Sequence, residues 1–163
     1  MLAPTAASTR YSTSFSLPAS AAAENEVEST LTPKDKKVYQ FLQELSESNL
    51  TFRIVVIGNG AILESTNLLG PTFKLGQSPK TGNHIVTFAA EDQSFEFHVM
   101  PGQVASVALV EKESPIGNKT MRLMRLLNAD GGSICSLILA DDSQAASDWY
   151  GGMTETYGSD FEF

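Results

Sequence analysis

The stretch from Ser94 to Glu113 constrains the fold most, because its side chains alternate as in a β-strand. Neighbouring residues of a strand point to opposite faces of the sheet. One face carries Phe95, Phe97 and Val99, and the other carries Glu96, His98 and Met100. Pro101-Gly102 then indicates a tight turn, and a nearly unbroken apolar run from Val104 to Val110 follows. We therefore predict two strands joined as a β-hairpin.

Composition indicates one globular domain with an acidic surface. The chain has 163 residues, of which 42% are hydrophobic, and this is enough for a core. The net charge is −8 and the pI about 4.7, so we expect no nucleic-acid partner, because such binding needs Lys and Arg to neutralise phosphates. No apolar run approaches the ~20 residues that span a bilayer. The single cysteine, Cys135, lies in an apolar run and is predicted to be a buried core residue.

The first 30 residues differ from the rest. Met1 to Ala23 is rich in Ala, Ser, Thr and Pro, with Arg10 as its one basic residue and no acid. This composition is typical of organelle transit peptides, which predicts a plastid location first, with the mitochondrion or the cytoplasm as alternatives. A plain disordered tail would have a similar composition. An acidic linker follows, so we predict a single domain over residues 31–158 and a short tail over residues 159–163.

Two helices are predicted, one at each end of this domain. Thr32-Pro33-Lys34-Asp35 is a helix start, with Thr32 as the cap, and apolar residues follow at helical spacing. Asp141-Asp142-Ser143 is predicted to cap a second helix that runs through Trp149-Tyr150 and stops at Gly151-Gly152. The acidic and aromatic end, Thr154 to Phe163, is expected to fray.

About eight strands are predicted between the two helices. Besides the stretch above they are Thr51 to Ile57, Ala61 to Ser65, Thr72 to Leu75, His84 to Ala89, Met121 to Leu127 and Ser133 to Ala140. Gly58-Asn59-Gly60 is a strong hairpin signal. Met121 to Leu127 is also compatible with a helix, but the turn after it favours a strand. Short connections favour antiparallel pairing, so the predicted fold is α+β, a meandering antiparallel sheet with an N-terminal and a C-terminal helix.

No catalytic motif stands out. Gly58-Asn59-Gly60 lacks the rest of a phosphate-binding loop, and the chain has neither a G-x-S-x-G nor an H-E-x-x-H pattern. The acid pairs Glu91-Asp92 and Asp141-Asp142 fall at predicted turns or caps, where a solvated or capping role is expected. The sequence therefore favours a binding protein over an enzyme.

The two histidines, His84 and His98, lie in neighbouring predicted strands. A hydrogen-bonded or half-exposed role on the sheet is one interpretation. Two histidines without a nearby cysteine make a weak zinc site. A single histidine can nevertheless be the axial ligand of a haem, where a flat apolar platform provides most of the contact. Met100 and aliphatic residues of adjacent strands would contribute to such a platform.

An ordered set of local patterns from Leu50 to Tyr157 resembles the bacterial intracellular haem-carrier and haem-utilisation family of the HutX, ChuX and HemS type. The patterns are Ala61-Ile62-Leu63-Glu64, His98-Val99, Val107 to Lys112, Met121 to Leu127 with Ala129 to Ser133, and Ile138-Leu139 with Asp141-Asp142. The resemblance implies a sheet-based fold, often paired into dimers, that binds haem on the sheet. It implies haem storage or transfer, with haem degradation in some relatives.

The same resemblance implies that His98 is a haem ligand. A second family histidine corresponds to Ile57-Gly58, where this chain has none, so His98 would bind alone or with help from His84 or Met100. Lys119, Arg122 and Arg125 are candidate partners of the haem propionates. We also expect a homodimer or an acceptor protein as partner, with Thr72 to Leu75 as an edge strand open to pairing. The alternative function is a cofactor-free interaction or assembly protein, and haem degradation is the one enzyme activity considered.

Overall fold

The computed structural model describes residues 26–115, 117 and 119–163. The predicted targeting segment, Met1 to Ala23, lies outside the described residues. Residues 26–29 are helical, and two longer helices follow, α1 (Pro33–Glu47) and α2 (Gln144–Tyr157). The strands are β1 (Thr51–Gly58), β2 (Ala61–Leu68), β3 (Thr72–Gln77), β4 (His84–Ala89), β5 (Glu96–Val99), β6 (Ser106–Glu113), β7 (Thr120–Leu127), β8 (Ser133–Leu139) and β9 (Asp160–Glu162).

These strands form two antiparallel sheets. The larger has the order β2-β1-β8-β7-β6-β9, and the smaller has the order β3-β4-β5. The α+β class predicted from the sequence is confirmed, with the strands divided between two sheets. The β1–β2 hairpin turns at Asn59-Gly60, as the Gly58-Asn59-Gly60 signal predicts. Met121 to Leu127 lies in a strand and not in a helix.

The predicted hairpin across Pro101-Gly102 is wrong. β5 pairs with β4 in the small sheet, whereas β6 pairs with β7 and β9 in the large one. Pro101–Gln103 forms one turn of 3-10 helix, in which the N–H of Val104 donates to the carbonyl oxygen of Pro101 at 3.0 Å. This turn carries the chain from one sheet to the other. The predicted alternation along β5 is confirmed, because Val99 is buried and His98 exposed.

Helix α1 packs against both sheets. It begins as predicted, with the Thr32 hydroxyl accepting from the N–H of Asp35 at 3.1 Å. Its apolar residues, Val38, Phe41, Leu42 and Leu45, are completely buried. The ring of Tyr39 lies 5.4 Å from that of Phe73 in β3, and the ring of Phe41 lies 5.4 Å from that of Phe161 in β9. One core therefore joins the helix to both sheets.

Helix α2 corrects a second prediction, because it continues through Gly151-Gly152 to Tyr157. Tyr150 and Met153, on either side of the glycines, are both buried. Their packing stabilises the helix more than two glycines destabilise it, since glycine costs about 1 kcal/mol in a helix interior. The helix ends instead at Gly158, whose φ of 81° lies in the left-handed region.

The C-terminal residues do not fray. Asp160–Glu162 pairs with β6 as β9. The ring of Phe161 stacks on that of Tyr157 at 4.7 Å, and the ring of Phe163 lies 5.9 Å from that of Phe41. The prediction of a frayed end was therefore wrong, because these aromatic side chains bury apolar surface against α1.

Two further expectations concern Cys135 and membrane-spanning segments. Cys135 is 1% exposed on β8, and burial raises the pKa of its thiol to about 12, so the predicted core role is confirmed. Across the residues that the structure describes, no helix is long and apolar enough to cross a membrane.

Candidate functional site

His98 lies on the outer face of the small sheet. The strand register places Lys74, Thr87 and His98 in one row across β3, β4 and β5. The next row consists of Phe73, Phe88 and Phe97, whose rings contact one another at 5.3 and 5.9 Å on the core side. Because the rows point to opposite faces, the imidazole of His98 faces solvent, with 47% of its side chain exposed.

The imidazole of His98 is held at its inner nitrogen. Its Nδ1 lies 2.9 Å from Oγ1 of Thr87, a residue that is only 4% exposed. When neutral His98 donates its Nδ1–H to this hydroxyl, Nε2 carries a free lone pair at the surface. Oε2 of Glu96 lies 3.5 Å from Nε2 and can only accept a hydrogen bond, so it would have to move aside before a ligand reaches the lone pair. The geometry therefore suits a single imidazole ligand that a cofactor can approach from solvent.

The surroundings of His98 form an open surface with some apolar area. Ile85 and Ala89 lie on the same face of β4 as Thr87, and Met100, directly after β5, is 45% exposed. Lys74 adds a positive charge at the far end of the row. His98 does not line the cavities that the described residues form around Phe161, His84, Arg122 or Tyr150.

His84 and Met100 come together at a different place. They line a cavity of about 130 Å³ beside the 3-10 turn, and His98 is not part of it. The Nε2 atom of His84 lies 2.8 Å from Oγ1 of Thr30, in the segment before α1. Two of the predicted ligands, His84 and Met100, therefore line the same cavity, whereas the third, His98, does not.

The predicted propionate partners lie on or beside the large sheet. Lys119 and Arg122 line a cavity of about 270 Å³ with Asp142. Lys119 forms an ion pair with Asp142, and Arg122 Nε donates to Glu111 at 2.9 Å. Arg125 is exposed on β7. Lys74 is the cation that shares the row of His98, and sequence reasoning missed it because only the register of three strands reveals this placement.

The acid pairs behave as turn and cap residues, as predicted. Oδ1 of Asp92 accepts hydrogen bonds from the hydroxyl and the N–H of Ser94, which lower the pKa of this carboxyl. Oδ1 of Asp141 accepts from the N–H of Ser143 at 2.8 Å, which lowers its pKa in the same way. Within the described ranges, no three or more His, Cys, Asp or Glu side chains group closely enough to hold a metal ion.

Solved structures share this arrangement of helices and sheets. The haem-binding protein ChuX superposes with a TM-score of 0.57 over 76% of this chain and 74% of its own, at 12% identity. The chain has the ChuX fold. This confirms the fold that the sequence resemblance predicts.

Two further structures that match this chain are longer than it. Holo-PhuS, a haem-binding protein from Pseudomonas aeruginosa, matches with a TM-score of 0.51 at 16% identity. ChuS, a haem-degrading enzyme of Escherichia coli O157:H7, matches with a TM-score of 0.53 at 13% identity. The match covers 71% and 72% of this chain but only 32% and 34% of those proteins. No protein-family model matches the sequence, and no curated protein matches it significantly.

Proposed function

We propose that this chain binds haem or a related tetrapyrrole on the outer face of the β3-β4-β5 sheet and acts in haem storage, trafficking or transfer to an acceptor protein. The observation that supports this most is His98, an exposed imidazole whose Nδ1 contacts the buried hydroxyl of Thr87 at 2.9 Å. The ChuX fold adds support, since ChuX and PhuS are described as haem-binding proteins. A fold alone does not determine a ligand, so the proposal depends on the residues of this face.

Each residue of the face has a role in the proposal. Haem supplies an iron that accepts an imidazole as axial ligand, and Nε2 of His98 is the atom that would bind it. Thr87 would hold the ring through Nδ1, as partners of metal-ligating histidines commonly do. Ile85, on the same face of β4 as Thr87, would contact the apolar macrocycle. Lys74 lies two strand spacings from His98, about 10 Å, and would pair with a propionate.

The residues of this chain suit a haem whose iron is bound by one protein side chain. The position of the second family histidine falls at Ile57-Gly58, at the tip of the β1–β2 hairpin, and carries no imidazole. His84 is bonded to Thr30 and lines a separate cavity. Of the two histidines, His98 is therefore the one that would hold the iron.

A hemin titration tests the proposal. The purified full chain should give a saturable, shifted Soret band at one hemin per chain, because ligation by imidazole changes the spectrum of the iron porphyrin. His98→Ala should abolish the shift, whereas the matched variant His84→Ala should keep it. No shift in the parent chain, or the same shift in His98→Ala, would rule out ligation of the iron by His98. Adding a reductant under oxygen to the complex then tests haem degradation, which would appear as loss of the band.

A second candidate function, a cofactor-free interaction protein, is supported by one observation. Ile57, Ile62 and Leu63 at the tip of the β1–β2 hairpin are 66%, 65% and 62% exposed. Clusters of large apolar side chains at the surface often mark interaction sites. If two chains associate through this tip, light scattering should show a dimer that Ile57→Ser with Ile62→Ser dissociates. A monomer at every concentration would rule out this self-association.

A further inference from the structure

We propose that the free edge of β6 at residues 111–113 binds an extended segment of a partner protein that carries lysine or arginine at alternate positions. β6 pairs with β7 along its whole length, whereas its pairing with β9 covers only residues 106–108. The rest of that edge has no strand beside it in the part of the chain that the structure describes. The edge belongs to the large sheet and His98 to the small one, so the proposal does not depend on haem binding.

The backbone of β6 presents hydrogen-bonding groups along this free edge. The N–H of Leu109 donates to the carbonyl oxygen of Ser159 at 2.7 Å and therefore points to the β9 side. The backbone groups of successive strand residues point to opposite edges, so those of Glu111 and Glu113 also point to the β9 side. The register with β7 runs without a shift to the end of β6, and residues 111–113 are exposed. An exposed edge of this kind is a template for an added strand.

A cavity of about 420 Å³ lies beside the free edge, between β6 and α2. Its lining residues are Leu109, Glu111, Tyr150, Gly151, Thr154, Glu155 and Ser159. Residues directly opposite each other in a sheet have their side chains on the same face, so the residue opposite Glu111 would place its side chain over this cavity. The aliphatic stem of a lysine or arginine there would contact Leu109, and its charged end would reach the carboxylates of Glu111 and Glu155. Glu111 is 52% exposed, although Arg122 already donates to its Oε1.

Charge argues against a second copy of this chain as the occupant. Residues that lie opposite each other in an antiparallel pair both point to the shared ladder or both away from it. Because Leu109 is already bonded to Ser159, Glu111 of one copy would lie opposite Glu111 or Glu113 of the other. Like charges in that position destabilise a sheet, whereas opposite charges stabilise it. The free edge therefore suits a basic strand of a different protein.

Fluorescence anisotropy of the full chain with a fluorescein-labelled pentapeptide tests the proposal. In this probe three valines alternate with two lysines, which would lie opposite Glu111 and Glu113. We expect saturable binding in the micromolar range, and binding at least about tenfold weaker when glutamates replace the lysines. Methylation of the backbone nitrogens of both lysines should abolish binding, because those N–H groups face β6. Methylation at the central valine, whose N–H points away, is the matched control and should leave binding intact.

Variants of the chain test where the peptide binds. Gly151→Leu should weaken binding severalfold, because the new side chain enters the cavity, and a β-carbon at this position meets no atom within 4 Å. Gly152→Leu is the matched control, since Gly152 has the same open space in α2 but does not line the cavity. Glu113→Pro removes an N–H of the free edge and should weaken binding more than Glu113→Gln, which keeps it. Proline is tolerated on an edge strand where the N–H faces solvent.

The proposal fails if the lysine peptide does not bind saturably, or if the glutamate peptide or the peptide methylated at its lysines binds as well. Equal weakening by Gly151→Leu and Gly152→Leu would also overturn it. A dimer of the parent chain that Glu113→Pro dissociates would mean that a second copy occupies the edge instead. Circular dichroism shows whether each variant folds. If Glu113→Pro does not, the methylated peptides on the parent chain decide whether backbone pairing holds the strand.

Discussion

Thr87 and His98 lie directly opposite each other on β4 and β5, with Oγ1 and Nδ1 2.9 Å apart. The hydroxyl is buried, whereas the imidazole is half exposed. A buried hydroxyl keeps its position better than a surface side chain does. It therefore holds the ring of His98 at the nitrogen that faces the sheet. This pair connects the packing of the small sheet to the proposed haem site.

Replacing Thr87 with Val should weaken hemin binding without abolishing the Soret shift. The substitution keeps the shape of the side chain but removes the acceptor of the Nδ1–H, so the ring of His98 loses its orientation. Loss of such a partner typically costs about 10-fold in affinity, and hemin titration measures it. Thr66→Val, on an exposed position of β2, is the control and should change nothing. Unchanged affinity in Thr87→Val would show that this hydrogen bond does not orient the ligand.

Replacing Tyr150 with Phe should destabilise the fold by about 1–3 kcal/mol. The Tyr150 hydroxyl lies 2.9 Å from the carbonyl oxygen of Leu123 and 3.2 Å from that of Val110, and the side chain is 1% exposed. Its removal takes away a donor that both carbonyl groups share. Urea unfolding at pH 7 measures the loss. Equal stability of the variant and the parent would show that water replaces the hydroxyl.

Tyr150 should also make stability depend on alkaline pH. Burial, with the nearby charge of Glu111, raises the pKa of its phenol to about 12 from an unfolded value of about 10. A group whose folded pKa is raised stabilises the fold fully below its unfolded pKa, and this contribution is lost as the pH rises from 10 towards 12. The difference in unfolding free energy between the parent and Tyr150→Phe should therefore shrink across this range, by up to about 2.5 kcal/mol. A difference that stays constant to pH 12 would contradict the raised pKa.

The Cys135 thiol should react with disulfide reagents only after the protein unfolds. Burial raises its pKa from 9.0 to about 12, so almost none of it is the reactive thiolate at pH 8. Labelling with an aromatic disulfide reagent at pH 8 should be complete in urea and should follow the unfolding rate in buffer. Rapid labelling of the native protein would show that β8 opens locally.

Replacing Gly152 with Ala should stabilise the protein by about 0.5–1 kcal/mol. A β-carbon at this position would meet no atom within 4 Å, and the residue does not have a positive φ. Gly158→Ala is the opposite case, because Gly158 has a φ of 81° and ends α2, so the change should destabilise by about 1 kcal/mol. Melting temperatures of the two variants measure both effects. A destabilising Gly152→Ala would mean that α2 packs more tightly than this open space indicates.

Local signals predicted most of the elements, because each acts within a few residues. The Thr32 cap and the Gly58-Asn59-Gly60 turn are examples. Which strands pair with one another was not predictable in the same way. The alternation along β5 is correct, but Pro101 and Gly102 indicate only that the chain turns, and not which sheet the next strand joins. The ends of α2 and β9 depend on contacts of Tyr150 and Phe161 with distant residues, which local patterns do not contain.

Prediction of the candidate sites from the sequence was limited in the same way. The sequence identified His98 and His84, but their neighbours come from other elements. Thr87 is 11 residues from His98, and Thr30 is 54 residues from His84. Only the folded chain shows that one imidazole faces solvent beside a buried hydroxyl, whereas the other shares a cavity with Asp35.

The division into two sheets also affects how the molecule fluctuates. No strand of β3-β4-β5 shares a hydrogen-bonded ladder with the six-stranded sheet within the described part of the chain. The small sheet can therefore separate from the six-stranded sheet by losing side-chain contacts, with its own backbone hydrogen bonds intact. Native-state hydrogen exchange should then show β3, β4 and β5 opening together at a lower free energy than β1, β7 and β8. A ligand bound across His98 and Lys74 would span all three strands of that unit and slow its opening.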